Sequence, residues 1–214
     1  TESSRGTESQ YSGTVSSQAP GTYYLRVYNP SSTATDFHIY VVYASGYVTF
    51  QSPDPYYTVG QPSTADNVIS VGAYVSRTGW FAYDGTGLWS YNGQNSLNQI
   101  ANFSSRGPRV NGGLMKPNIT GPGSAIISLR DMDVYTTPDP GYIDNDGTVG
   151  GSVNYYVMQG TSMACPLVAG LGALYLQKNP TATPQNVMDA LQNNTSKSVT
   201  EVYPNSTRGY GKAD

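Results

Sequence analysis

The chain has 214 residues, 12% of them charged, and a formal net charge of −3 at pH 7. This balance gives no reason to expect a nucleic-acid partner or an anionic membrane surface. No apolar run approaches the ~20 residues that span a bilayer, and the single Cys165 excludes an internal disulfide. The 24 Gly, 14 Pro and 19 Tyr residues favour a β-rich, loop-rich globular protein. The scarcity of cysteine, beside many Tyr, Ser, Thr and Asn residues, leads us to predict a secreted protein.

The first fifty residues alternate polar and apolar side chains between turn signals. Residues 21–28 and 36–43 are rich in β-branched and aromatic side chains, and residues 10–15 and 46–50 are shorter strand candidates. We predict three or four antiparallel strands, the end of a β-sandwich or jelly roll. On their own, these strands would bury only a thin core.

Short strands and a capped helix are predicted in the rest of the chain. The strands cover residues 68–73, 116–123, 126–128 and 155–159. The first is an apolar run of the kind that forms a buried parallel strand, and the second stops at Gly-Pro-Gly. Thr183 is predicted to cap a helix with Pro184 at its first position, ending at about Asn193.

Two loop regions separate these elements. Residues 77–99 contain Trp80, Tyr83, Trp89 and Tyr91 among small polar residues. We predict a hairpin there, with aromatic side chains that pack internally rather than forming a binding platform. Residues 131–146 contain five aspartates and predict an exposed acidic loop.

The most informative stretch is residues 160–170, where a glycine turn places Ser162 on the first turn of an apolar helix. The helix is predicted to end at about Lys178, and Pro166 falls early in it, where a missing N–H costs little. The Ser162 hydroxyl then lies at the positive end of the helix dipole, and its backbone N–H lacks an intrahelical partner. A nucleophile and a donor aimed at the oxyanion are two parts of an acyl-transfer site. The alternative is a capped helix without chemistry.

The string Gly-Thr-Ser-Met-Ala-Cys-Pro-Leu-Val-Ala-Gly at residues 160–170 resembles the serine-nucleophile motif of the subtilisin-like serine proteases, the subtilases. Its usual form is Gly-Thr-Ser-Met-Ala-Ser/Cys-Pro-His-Val-Ala-Gly. Leu167 replaces a histidine that is not the catalytic one. Further segments resemble the family in the same order, and they are residues 58–73, 103–108, 116–123 and 209–213. Asn118 and Gly121 depart from the family's usual acid and alanine.

The resemblance implies an α/β fold class. Residues 53–214 would be the C-terminal portion of a subtilisin-like parallel-sheet domain, and residues 1–52 the end of a jelly-roll-like antiparallel β insertion. The resemblance also implies a serine endopeptidase with Ser162 as its catalytic nucleophile. The implied substrate-binding residues are Gly60, Gln61, Pro62, Ser63, Gly160 and Thr161.

Several parts of the family's active site are missing from this chain. The aspartate motif, the histidine motif and the oxyanion asparagine all precede residue 60 in the family, and none occurs here. His38 is the only histidine, and its surroundings do not resemble the histidine motif, so we predict a strand residue rather than the catalytic base. The resemblance implies that the missing motifs lie upstream of Thr1. The isolated chain should then be a very poor protease.

The predicted partners are a protein or peptide substrate and the N-terminal remainder of the same protease, either as a separate chain or missing. Self-association is the alternative, because half an α/β sheet leaves an open apolar face and unpaired edges. No cofactor is predicted. Residues 144–147 look faintly like a calcium loop but lack the spacing and the glutamate of an EF-hand. Two other functions remain open: a catalytically inactive pseudoprotease, and a non-enzymatic β-rich binding module.

Overall fold

The computed structural model describes residues 12–14, 19–41, 44, 46–110, 115–131, 133, 139–144, 148–151 and 153–213. The chain divides into two compact units, Thr1–Phe50 and Gln51–Asp214. The division lies two residues before the boundary predicted from the sequence. Within the described residues, no helix combines the length and apolarity needed to cross a membrane.

The first unit contains no paired strand among its described residues, although the sequence predicts three or four. Tyr24 is 92% exposed and Tyr47 is 95% exposed, so no apolar core covers them. A strand needs hydrogen-bonding neighbours, and a few short strands without a second sheet are marginally stable in water. The expected strands at 21–28 and 46–50 are therefore not formed. The candidates at 10–15 and 36–43 lie partly outside the described residues, and the jelly-roll assignment stays a prediction.

The second unit contains six strands and two α-helices in its described residues. They are β1 (Val71–Tyr74), β2 (Trp80–Phe81), β3 (Leu88–Trp89), β4 (Ile119–Pro122), β5 (Ile126–Leu129), β6 (Tyr155–Met158), α1 (Thr161–Lys178) and α2 (Pro184–Asn193). β1 pairs with β4 in parallel, with Val71 opposite Ile119. β2 and β3 form an antiparallel hairpin, and β5 pairs antiparallel with β6. The structure confirms the buried parallel strand and the hairpin, with shifts of a few residues.

Helix α1 packs on the parallel pair β1–β4 through one face. The buried residues of α1 are Ala164, Val168 and Gly172, which recur every four residues. Val168 shares a core with Ile119 of β4. A Cβ atom at Gly121 of β4 would lie 3.0 Å from Val168 Cγ2 and 3.1 Å from the Ala164 carbonyl oxygen. Glycine at this position therefore allows the helix to approach the sheet closely.

A second core is aromatic and lies around the β2–β3 hairpin. Trp80 is buried, and its Nε1–H donates to the Gly141 carbonyl at 2.7 Å. The rings of Trp80 and Tyr91 are 5.0 Å apart, and the Tyr91 hydroxyl donates to the Val157 carbonyl at 3.0 Å. Burial raises the pKa of Tyr91 well above its usual value. The aromatic side chains pack internally, as predicted.

Both helices end where the sequence predicts. α2 begins after a capping box, in which Thr183 Oγ1 accepts from the Asn186 N–H and Asn186 Oδ1 accepts from the Thr183 N–H. The prediction that Pro166 lies where a missing N–H costs little is wrong. Pro166 is the sixth residue of α1 and lies beyond the first turn. Its missing N–H therefore leaves the Ser162 carbonyl without the hydrogen bond from residue i+4.

Candidate active site

A glycine turn connects β6 to α1 and positions the serine. Gly160 has φ +148° and ψ 160°, a backbone conformation that is essentially restricted to glycine. Its N–H donates to the Gly123 carbonyl at 2.8 Å, just beyond the end of β4. The turn is therefore fixed to the C-terminal end of β4, and this contact defines where the helix begins.

Ser162 lies exposed on the first turn of α1. The N–H groups of Met163 and Ala164 both donate to the Gly160 carbonyl, at 3.0 and 3.3 Å. Within the described part of the chain, the Ser162 N–H has no acceptor, and no acidic residue lies in the first turn. A hydroxyl and a free N–H thus share the positive end of the helix dipole. The arrangement can supply a nucleophile and one hydrogen bond to a developing oxyanion.

No base is positioned next to this serine among the described residues, because no side chain there hydrogen-bonds to Ser162 Oγ. His38 is exposed in the first unit, and its ring stacks on Tyr40 with centroids 6.2 Å apart and planes 17° apart. A serine hydroxyl is a weak nucleophile until a base accepts its proton. The described residues therefore supply only part of a catalytic apparatus.

A cavity of about 190 Å³ adjoins the nucleophile turn. Its lining consists of Val59, Gly60, Gln61, Ser63, Ser70, Val71, Gly72, Ser105, Pro117 and Thr161. Four of the expected substrate-binding residues line this cavity, namely Gly60, Gln61, Ser63 and Thr161. Pro62 and Gly160 do not. The lining carries hydroxyl and amide groups but no charged side chain, so the cavity matches an uncharged group of modest size.

Sequence reasoning missed several residues that line the cavity together with residues 60, 61 and 63. Ser70 and Gly72 are two residues apart at the start of β1, so they share one face of the strand. Ser105 comes from the segment that reads Phe-Ser-Ser-Arg-Gly-Pro. The alternation along β1 could have indicated Ser70 and Gly72, whereas nothing in the local sequence of Ser105 indicates its position beside Thr161.

Metal binding has no support in the described residues, where no three His, Cys, Asp or Glu side chains converge. Residues 145–147 of the faint calcium loop lie outside the described part of the chain. Asp144 lies inside it, where its backbone bridges to that of Ala82. The expectation of no cofactor stays a prediction.

Comparison with known proteins gives consistent results. The model of the subtilase family matches residues 3–211. The serine protease AprX of Bacillus subtilis (strain 168) is 39% identical over 140 residues, which are 65% of this chain and 27% of AprX. The minor extracellular protease Vpr of the same organism is 35% identical over 118 residues, which are 54% of this chain and 13% of Vpr. The structure of the Clostridium Perfringens CspB protease aligns at 28% identity with a TM-score of 0.50, over 76% of this chain and 28% of that one.

This chain spans about a quarter of the length of AprX and of the CspB chain. The family match includes the glycine turn, the exposed Ser162 and the cavity beside Thr161. It also includes residues 58–73, 103–108 and 116–123, and the first three residues of the segment 209–213. The chain belongs to the subtilase family, the subtilisin-like serine proteases.

Proposed function

We propose that this chain carries the nucleophile of a serine endopeptidase. The observation that carries the proposal is the exposed Ser162, whose own N–H is free at the positive end of α1 beside an uncharged cavity. In the reaction, Ser162 Oγ bonds to the carbonyl carbon of the substrate, and the carbonyl π electrons move to oxygen. The oxyanion accepts a hydrogen bond from the Ser162 N–H.

The remaining steps need groups outside this chain. A base must take the hydroxyl proton and return it to the leaving amine as the C–N bond breaks, and water then hydrolyses the acyl-enzyme. We propose that the base, its orienting aspartate and the oxyanion asparagine lie on a segment that precedes Thr1. The proposal is supported by the absence of all three motifs from the sequence and by the share of AprX that this chain spans, 27%.

The cavity beside Thr161 is the proposed site for a substrate side chain. Gly60, Gln61 and Ser63 form one side of it, and a Cβ atom at Gly60 would meet nothing within 4 Å. Open space at Gly60 leaves room for the substrate, and the hydroxyl and amide lining can donate to and accept from it. Pro62 would act by shaping this loop, and Gly160 by shaping the nucleophile turn. We propose that protein or peptide substrates with uncharged side chains fit here.

The outer face of α1 is the proposed contact with the preceding segment. Leu167 and Leu174, which are seven residues apart and share one side of the helix, are 44% and 63% exposed, and α1 carries no charged residue before Lys178. A helix that is apolar all round is typical of a buried core helix. We propose that the N-terminal remainder of the protease covers this face. By light scattering, the chain alone should self-associate, and addition of the N-terminal remainder should give a 1:1 complex. A monodisperse monomer that does not bind the remainder would contradict this proposal.

We also propose that the protein acts outside the cell. The name of the relative Vpr states that it is extracellular. Detection of the protein in the culture medium, with a cytoplasmic marker as control, would test the proposal. Retention inside intact cells would contradict it.

Hydrolysis of an unfolded protein substrate, by the protein that carries the preceding segment, tests the protease proposal. Replacing Ser162 by alanine should lower kcat by about 10⁶-fold, as removal of the nucleophile does in a triad of this type. Val199→Ala, at a fully exposed side chain away from α1 and from the cavity, is a control for handling and folding. If the intact protein does not hydrolyse the substrate, the protease proposal fails, and the pseudoprotease and the binding module are the remaining functions. Hydrolysis that survives in Ser162→Ala would contradict the role of this serine.

A further inference from the structure

The loop that walls the cavity, residues 58–66, is anchored at its base by backbone contacts. The Thr58 N–H donates to the Arg106 carbonyl at 2.9 Å, and the Arg106 N–H donates to Thr58 Oγ1 at 2.9 Å. The Tyr57 N–H donates to the Gly107 carbonyl at 3.4 Å. These contacts fix where the loop begins. They do not extend to the residues that line the cavity.

The middle of the loop has little support of its own. Gly60 and Gln61 are exposed, and residues 61–64 form a turn without strand or helix partners. The Ala65 N–H donates to the Pro62 carbonyl at 3.0 Å, which closes the turn locally. A local turn does not define where Gly60 and Ser63 lie relative to the other residues that line the cavity.

Arg109 holds the far end of the loop. Its Nη1 donates to the Thr64 carbonyl at 2.9 Å and forms an ion pair with Asp66 Oδ1 at 2.5 Å. The Arg109 side chain is 12% exposed, whereas that of Asp66 is 54% exposed. A guanidinium is planar and permanently charged, so it can hold a carbonyl and a carboxylate together in one geometry.

Arg109 and the cavity-lining Ser105 belong to one short segment of chain. Ser105 lines the cavity four residues before Arg109, and the Arg106 contacts lie between them. The same segment thus contributes Ser105 to the cavity lining and holds the loop at both ends. We propose that Arg109 is a positioning residue that sets the width of the cavity through Thr64 and Asp66, and so determines which substrate side chains fit.

The test compares Arg109→Ala with Arg109→Lys and with Arg130→Ala. Lysine keeps the charge and one donor. Arg130 is a matched control, because its Nη1 donates to a backbone carbonyl, that of Val153, at 3.1 Å outside this loop. Hydrogen exchange of the full chain, measured by mass spectrometry, reports whether Arg109 holds the loop 58–66 in place. This measurement does not require enzymatic activity. Arg109→Ala should speed exchange of the Ala65 N–H, which donates to the Pro62 carbonyl inside the loop, by about tenfold and leave β1 unchanged, since the loop opens locally.

Arg109→Lys should restore part of this protection, and Arg130→Ala should leave the loop as it is. Unchanged exchange in the loop of Arg109→Ala would overturn the proposal that Arg109 holds the loop. So would a rise spread evenly over the whole second unit, because that result would mean general destabilisation. Asp66→Asn gives a second test if Arg109→Ala does not fold, and it should also speed exchange in the loop.

The consequence for substrates rests on the proposed protease function and is measured separately in the protein that carries the preceding segment. Arg109→Ala should raise KM by about three- to tenfold with kcat little changed, for peptides whose side chain fills the cavity. Peptides with glycine at that position should show no change. An equal rise for both peptides would overturn the specificity role. If wild type hydrolyses neither peptide, the protease proposal has failed, and hydrogen exchange still decides whether Arg109 holds the loop.

Discussion

The two faces of α1 have similar composition and opposite surroundings. The inner face places Ala164, Val168 and Gly172 against the parallel pair β1–β4, and all three are buried. The outer face carries Leu167 and Leu174, both exposed. Burying a leucine side chain fully is worth about 1.5–3 kcal/mol, so an uncovered apolar face leaves that free energy unused. The contrast is the basis of the proposal that a preceding segment covers the outer face of α1.

The largest expected effect is the difference in unfolding free energy between one aspartate substitution on the inner face of α1 and one on its outer face. Val168→Asp places an unpaired carboxylate at a position that is 2% exposed, and it should lower the free energy of unfolding by about 3–5 kcal/mol. Leu174→Asp puts the same group on the outer face and should leave the isolated chain within about 0.5 kcal/mol of wild type, at a protein concentration low enough that the chain is monomeric. Urea denaturation of both variants gives the comparison. Equal losses would mean that the outer face is already covered in the isolated chain.

A smaller effect with opposite signs is expected at two glycines. A Cβ atom at Gly121 would press against Val168 and Ala164, so Gly121→Ala should lower the free energy of unfolding by about 1–3 kcal/mol. A Cβ atom at Gly170 of α1 would meet nothing within 4 Å, so Gly170→Ala should raise the same free energy by about 0.5–1 kcal/mol through helix propensity.

Repeating Gly170→Ala in the protein that carries the preceding segment sharpens the comparison. If that segment packs closely on the outer face, the added methyl group should remove the gain or reverse it. Thermal unfolding of the two forms, each beside its own wild type, measures the difference. A gain of the same size in both forms would show that nothing approaches Gly170.

The smallest expected effect depends on pH and lies in the aromatic core, away from α1. Burial, with smaller contributions from the phenols of Tyr142 and Tyr156, raises the pKa of Tyr91 well above its usual value of 10.0. The folded state therefore favours neutral Tyr91, and this contribution is complete below pH 10 and decreases as the pH rises further. Tyr91→Phe should cost about 1 kcal/mol at pH 8, through its lost hydrogen bond, and should weaken the alkaline loss of stability.

Urea unfolding at pH 8 and at pH 11, for wild type and Tyr91→Phe, measures this dependence. Tyr83→Phe is a suitable control, because Tyr83 has no role in the hydrogen bond to Val157. An identical alkaline loss in wild type and Tyr91→Phe would mean that other groups cause it.

Local patterns were sufficient for some elements and insufficient for others. The helix at Thr161–Lys178 and the capping box at Thr183 follow from residues that are neighbours in sequence, and the structure has both. The strands expected in residues 21–28 depend on partners from elsewhere, and they do not form. A strand pattern states which residues suit a sheet, but it does not supply the neighbouring strand.

The candidate site divides in the same way. Ser162 and its free N–H follow from the glycine turn and the start of a helix, which are local. The cavity combines Thr161 with Ser105 and Gly60, which come from three separate segments, and only the resemblance to a family pointed to Gly60. The contact of Arg109 with Thr64 spans 45 residues of sequence, so no pattern of spacing indicates it.

The most direct test of the central claim is covalent labelling by a serine-reactive fluorophosphonate, located by mass spectrometry. We expect the isolated chain to label at Ser162 very slowly, and we expect fast labelling when the preceding segment supplies the base. Ser162→Ala should abolish the label in both samples. Fast labelling of the isolated chain, with only this chain detected in the sample, would contradict the claim that the base lies elsewhere. The absence of any label when the preceding segment is present would contradict the claim that Ser162 is a nucleophile.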